Sequence, residues 1–288
     1  MFNSLVWGLS WWPFRQLEAQ GLHPLWATVL VYVPTALVIA AARPRAVGQL
    51  WRDRSLWVVM LAAGVTNAAF NWATVVGDVV RVVLLFYLMP LWSVLLARWL
   101  LKESLTPVAG IRMVLALIGA GIVLGAPGAG GVRGFPLPQS LADWLGLLGG
   151  VAFALNNVML KRTADRPEEG RVLAMFVGGA LVAAVLAAAL SVQGSIASPW
   201  VAGAASRAWW VPVLLLTLSA LFLCSNLALQ YGAVRLPVEV SSVLMLSEVL
   251  FAAVSAALLG AGRITGSLLF GGALIVLTAA WAAREPKR

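Results

Sequence analysis

Five of the six asparagines in this chain, Asn67, Asn71, Asn156, Asn157 and Asn226, fall inside long apolar runs; Asn3 is the exception. A primary amide set in hydrocarbon leaves donors and an acceptor unpaired at several kcal/mol, so each must face protein or a wet space. Asn67, Asn71, Thr74 and Asp78 follow i, i+4, i+7 and i+11, a polar stripe down one helix, and Ser219, Asn226 and Gln230 make a second. Such stripes line a pathway or hold helices together by hydrogen bonds, and spacing leaves both open. Glu248 is the acidic residue nearest the middle of an apolar run, on a face shared with Ser241, Met245, Ala252 and Ser255. A carboxyl there can receive a cationic ligand or carry a proton; alternatively it stays neutral, hydrogen-bonded to a neighbour such as Asn226 or Asn156. Glu239, near a helix start, suits the positive end of the dipole.

Aromatic residues are the next chemical resource. Of fourteen tryptophans, Trp26, Trp51, Trp57, Trp99, Trp144, Trp200, Trp209, Trp210 and Trp281 sit where interface anchors sit. Trp7, Trp11, Trp12, Trp72 and Trp92 lie within runs, as do Phe86 and Tyr87, and these either wall a cavity or face lipid. Pro90 removes a backbone donor and frees a carbonyl one turn earlier, so a kink is expected there, as a gate or as a fixed bend. Other chemistry is missing. One histidine (His23) and one cysteine (Cys224) exclude a metal centre built on them and an intrachain disulfide. Neither a nucleophile paired with a base nor a Gly-rich phosphate loop is present, so the chain is expected to be no enzyme, to use no cofactor and to hydrolyse no ATP.

These residues are carried by elements that composition identifies. Of 288 residues 61% are hydrophobic and 11% charged, with mean hydropathy +0.93, against about 25% charged in soluble domains. Ten apolar segments are readable, at about 2-20, 22-42, 55-76, 79-101, 105-126, 141-161, 171-193, 208-232, 237-260 and 264-283. The expected fold is an all-α integral membrane protein of ten transmembrane helices. The first segment has no basic stretch ahead of it and no small-residue cleavage site, so it is expected to be retained. The net charge of +9 forms no continuous patch and points away from nucleic acid. With the N-terminus inside, inner loops hold 14 Lys and Arg and outer loops hold 4, namely Arg81, Arg133, Arg207 and Arg263, so both termini are expected to be cytoplasmic. Arg15 and Arg112 lie near helix ends, where they can snorkel.

The hydrophilic stretch 127-140 divides the chain into units 1-126 and 141-288. The run from Leu88 through Pro90 to Leu105-Thr106 aligns with the run from Leu246 to Ile264-Thr265. An odd number of helices per half inverts the second copy in the membrane. Gly121 and Gly125 form a GxxxG, read as a close-packing face.

The order of these residues resembles the drug/metabolite transporter superfamily, specifically its ten-helix EamA-type exporters. Trp7-Gly8 with Ser10 opens the first helix, and Pro90 stands thirteen residues before Glu103 in the turn Lys102-Glu103-Ser104-Leu105-Thr106. In the second copy Val249 replaces the proline and Gly262 the glutamate. Arg15 to Pro24, RQLEAQGLHP, is similar to the same stretch of an aromatic amino-acid exporter of that superfamily. The resemblance implies two inverted five-helix repeats, a periplasmic linker at 127-140, a cavity lined by helices 1, 3, 4, 6, 8 and 9, and helices 5 and 10 as buttresses.

The resulting expectation is a multi-pass carrier in a bacterial cytoplasmic (inner) membrane that exports amino acids, aromatic and other large neutral ones, by alternating access. The alternative is export of lipophilic cations, drugs or other small metabolites by proton antiport. Candidate substrate-binding residues are Trp12, Asn71, Trp72, Tyr87, Asn156, Asn157, Asn226, Gln230 and Glu248, with Pro90 at the kink and no metal site. Partners are the substrate and the lipid bilayer, with no nucleic acid; monomer and homodimer both remain open.

Overall fold

Apolar runs of this length satisfy their backbone groups internally only as helices, and proline, aspartate and serine set where those helices begin. In a computed structural model the described residues, 2–101, 107–124, 138–198, 208–235, 248, 251–260 and 265–283, form helices and no strands. They are α1 (Phe2–Ala19), α2 (Pro24–Ala42), α3 (Pro44–Arg52), α4 (Arg54–Val76), α5 (Val79–Phe86), α6 (Met89–Leu101), α7 (Pro107–Leu124), α8 (Leu141–Arg162), α9 (Glu168–Val192), α10 (Trp210–Arg235), the stretch 251–258 (α11) and α12 (Gly266–Ala283). Six spans among the described residues are long and apolar enough to cross a membrane, the α5–α6 run counting as one. Pro24, Pro44 and Pro107 each open a helix, where a missing N–H costs nothing. Asp53 caps α4 by accepting from Ser55 N, and Ser140 caps α8 in a reciprocal box with Asp143.

Three expectations change. The run 79-101 is not one helix bent at Pro90: Tyr87 and Leu88 separate α5 from α6, and Pro90 is the second residue of α6, a position that tolerates it. Asp78 does not continue the polar stripe of α4, because Gly77 ends that helix and Asp78 caps α5 by accepting from Arg81 N at 2.9 Å. On α7 a close approach is made at Gly119, where a Cβ would meet Ile275 and the Gly271 carbonyl of α12; Gly125 of the expected GxxxG lies outside the described residues. The short amphipathic α3, which buries Ala46 and Leu50, was not among the ten segments.

Ion pairs and cross-helix bonds show how the helices alternate. At one end, Arg43 faces Glu169 at 4.0 Å and Arg166 pairs with Asp53 at 3.2 Å, joining the end of α2 and the starts of α4 and α9. At the other end, Arg15 donates to the carbonyls of Thr74 and Gly77, and Trp26 donates to Ser191 at 3.2 Å. The first is called the basic end here, since Arg45, Arg52, Arg54, Arg162 and Arg171 lie at the same helix junctions. α4 lies across α8 and α9 in the middle of the bundle, and α7 packs on α12.

Candidate functional site

Three glycines bring the site together by letting helices close in. Gly179 of α9 leaves room for the Tyr32 ring, which a Cβ there would overlap. Tyr32 is thereby seated on α2 with its hydroxyl donating to Asn67 Oδ1 of α4 at 2.8 Å. Gly150 of α8 admits the end of α5, since a Cβ would stand 2.7 Å from the Phe86 carbonyl. That carbonyl would accept from residue 90 in a continuous helix, and residue 90 is proline, which has no N–H to give. Gly8 of α1 admits the segment bearing Glu248, whose carbonyl would lie 2.9 Å from a Cβ at that position.

Between these contacts lies a partly open cavity walled by more than six helices. Eight aromatic residues, Trp7, Tyr32, Phe70, Phe86, Tyr87, Phe153, Phe176 and Phe222, line it with Met89, Met175 and Ala63. Its polar groups are Asn3, Thr66, Asn67, Asn156, Asn226 and Glu248. Trp7 stacks on Phe222 at 4.8 Å, and Phe86 meets Phe70 and Phe153 at 5.0 and 5.3 Å. Glu248 is 7% exposed and accepts from the Tyr87 hydroxyl at 3.1 Å, so its partner sits on the α5–α6 break and is neither Asn156 nor Asn226. Among the described lining residues Glu248 is the one carboxyl, and no Lys, Arg or His lies beside it on the wall.

Four of the sequence-derived candidates meet here: Tyr87, Asn156, Asn226 and Glu248. Asn71 does not; it is buried against α2, donating to Thr28 at 3.0 Å. Thr74 likewise satisfies itself on the Phe70 carbonyl. Trp72 packs edge-on to His23 at 5.4 Å, Asn157 is half-buried off the cavity, and Trp12 is exposed on the outer surface of α1. The side chain of Gln230 lies outside the described residues. Trp11 is neither lipid-facing nor lining: it is buried, with Nε1 donating to Ser255 at 3.0 Å.

Other lining residues had little signal. Tyr32 and Phe222 sit in uniformly apolar runs without periodicity, although a tyrosine hydroxyl in a span needs a partner and is a clue in itself. Asn3, near the chain start, donates to Ser225 Oγ of α10 at 2.8 Å. The cavity draws on all the helices expected to line it and also on α2 and α9, while α7 and α12 contribute nothing to it among the described residues.

Beyond the cavity, away from the basic end, the bundle is shut by charge as well as packing. Arg81 Nε and Nη2 donate to Asp143 Oδ1 and Oδ2 at 2.6 and 2.9 Å, a two-pronged pair joining α5 to α8. Both side chains are buried, and Asp143 also accepts from the Gln139 and Ser140 N–H groups. Arg81 is therefore an internal charge and not one of the loop charges counted for topology. Arg15 stacks over Trp11 at 5.1 Å while capping the end of α4.

Residues 1–125, from α1 to the end of α7, match the EamA-like transporter family. A solved crystal structure 20% identical in sequence superposes with a TM-score of 0.60, covering 97% of this chain and 93% of the other. At that identity the likeness establishes a shared fold. No curated protein matches the chain.

Proposed function

We propose that the chain is an EamA-type carrier of ten membrane helices, two inverted repeats joined by a periplasmic linker at 127-140, that exports amino acids with large neutral side chains by alternating access. The observation that carries the reading is the Tyr87–Glu248 hydrogen bond inside an aromatic cavity. A zwitterion with an apolar body needs an acceptor for its ammonium, amide groups for its remaining polar atoms and rings around its side chain. Glu248 with Asn156 Oδ1, the amide N–H groups of Asn156 and Asn226, and the eight aromatic residues supply these in turn. Tyr87 and Glu248 stand at the starts of the two aligned runs, which begin at Leu88 and Leu246, in keeping with a site between the repeats. The α5–α6 break supports the same reading, since interrupted helices at the repeat interface are where carriers place substrate. We assign both termini to the cytoplasm of a bacterial inner membrane; the arginine-rich basic end supports the orientation.

Counterflow tests this: proteoliposomes loaded with unlabelled phenylalanine, leucine or threonine take up labelled phenylalanine or tryptophan, and Glu248→Gln does not. Absence of exchange for every amino acid in an active preparation would overturn it. A second reading, export of lipophilic cations, is favoured by one observation: no Lys or Arg is among the described lining residues. Uptake of a lipophilic cation driven by a proton gradient, without amino-acid exchange, would establish that reading instead.

A further inference from the structure

The polar groups of the cavity wall divide into those already satisfied within the protein and those left for a ligand. Tyr32 spends its hydroxyl on Asn67, whose own Nδ2 donates to the Ala63 carbonyl at 2.7 Å. Asn3 is committed to Ser225. Asn156 is different: it is 2% exposed, lines the cavity, and its Oδ1 meets no donor. A buried carbonyl of this kind loses its hydration with nothing in return until a ligand donates to it. Glu248 adds a second acceptor, because Tyr87 engages Oε2 and leaves Oε1.

Asn226 turns its Nδ2 to Met175 Sδ at 3.9 Å, so what remains is two acceptors, one of them a carboxyl oxygen, and the neutral amide donor Asn156 Nδ2. Carboxylates and phosphates are held by several strong donors or by guanidinium. Nothing of that kind lies on the described wall, and the adjoining stretch 236–250 carries Glu239 and Glu248 but no Lys or Arg. Aromatic faces, in contrast, attract cations.

Resting on the transport reading above, we propose that the site recognises its ligand by the amine: Glu248 and Asn156 bind the ammonium, the rings hold the apolar body, and the carboxylate of an amino acid is dispensable. The substrate class is apolar primary amines, of which large neutral amino acids are members.

Calorimetric titration of the purified full chain with phenylalanine, phenylalaninamide, phenethylamine and 3-phenylpropionate tests this. The first three are expected to bind with similar affinity and 3-phenylpropionate not at all. Glu248→Gln, close in shape to the wild type, is expected to weaken the amines by about ten- to a hundredfold, the loss of one charge-assisted hydrogen bond. Asn156→Ala is expected to do so by a smaller factor, with its unfolding midpoint checked against wild type. Binding of phenylalanine without phenethylamine would overturn the proposal and leave the carrier reading standing. So would binding of 3-phenylpropionate, or unchanged amine affinity in Glu248→Gln. Binding of none of the four by folded protein would overturn both.

Discussion

The two ends of the helix bundle solve opposite problems with similar residues. At the basic end the ion pairs are exposed: the side chain of Arg166 is 54% accessible where it meets Asp53, and Arg43 is 67% accessible beside Glu169. Such pairs contribute little and exchange readily with water. At the far end Arg81 and Asp143 are 9% and 1% accessible and bonded through two prongs. Removing Arg81 leaves the Asp143 carboxylate buried without its cation. The cavity follows the same polarity: Asn156 lies six positions from the basic end of α8, and Met175 and Asn226 occupy the same half of their helices. The bundle is weakly tied at the basic end and tightly tied at the other, which points to the basic end as the side from which a ligand would enter.

Perturbing the tight end should therefore cost far more than perturbing the loose one. Arg81→Ala is expected to destabilise the protein by about 3–5 kcal/mol, because it leaves the buried Asp143 carboxylate without its cation. Asp53→Ala, which loses only an exposed pair and a helix cap, should cost about 1 kcal/mol. Denaturation midpoints in detergent compare the two, and equal losses would erase the distinction between the ends. Next in size is Gly150→Leu, whose side chain has no room beside the Phe86 carbonyl; overpacking of about 1–3 kcal/mol and displacement of Tyr87 are expected, read as lost stability together with lost transport. Trp11→Phe, which gives up the bond to Ser255, should cost about 1 kcal/mol.

The smallest effect is expected at His23. Its Nδ1 accepts from Leu25 N at the start of α2, which requires the neutral ring, and burial holds the imidazole below its ordinary range. A lowered folded value means that the contribution is fully present above the unfolded value of about 6.5 and is lost as pH falls through the folded one. The fall in stability between pH 7 and pH 5 should thus be shallower in His23→Asn than in wild type. An identical pH profile would show that the cap carries no such contribution.

The sequence reveals some of this and hides the rest for identifiable reasons. Long apolar runs announce α1, α2, α4 and α7 to α10, since a span length leaves little ambiguity. The nine residues of α3 mix arginine with apolar positions and are too short to register in the same way. Glu248 stands out because a carboxyl in a span is rare, but its partner Tyr87 is 161 positions away and no local pattern connects them. For the same reason Arg81 looks like a loop charge until Asp143 is seen beside it. The polar stripe on α4 shows a limit of periodicity. It identifies one helix face without saying which neighbour covers it: Asn67 reaches the cavity, whereas Asn71, one turn on, meets Thr28.

The most direct test places a cysteine at Asn156 in a Cys224→Ser background and labels it with a membrane-impermeant thiol reagent in vesicles of each orientation. The account predicts modification from the basic face, slowed by phenylalanine or phenethylamine. Modification only from the opposite face, or modification that neither ligand slows, would contradict it.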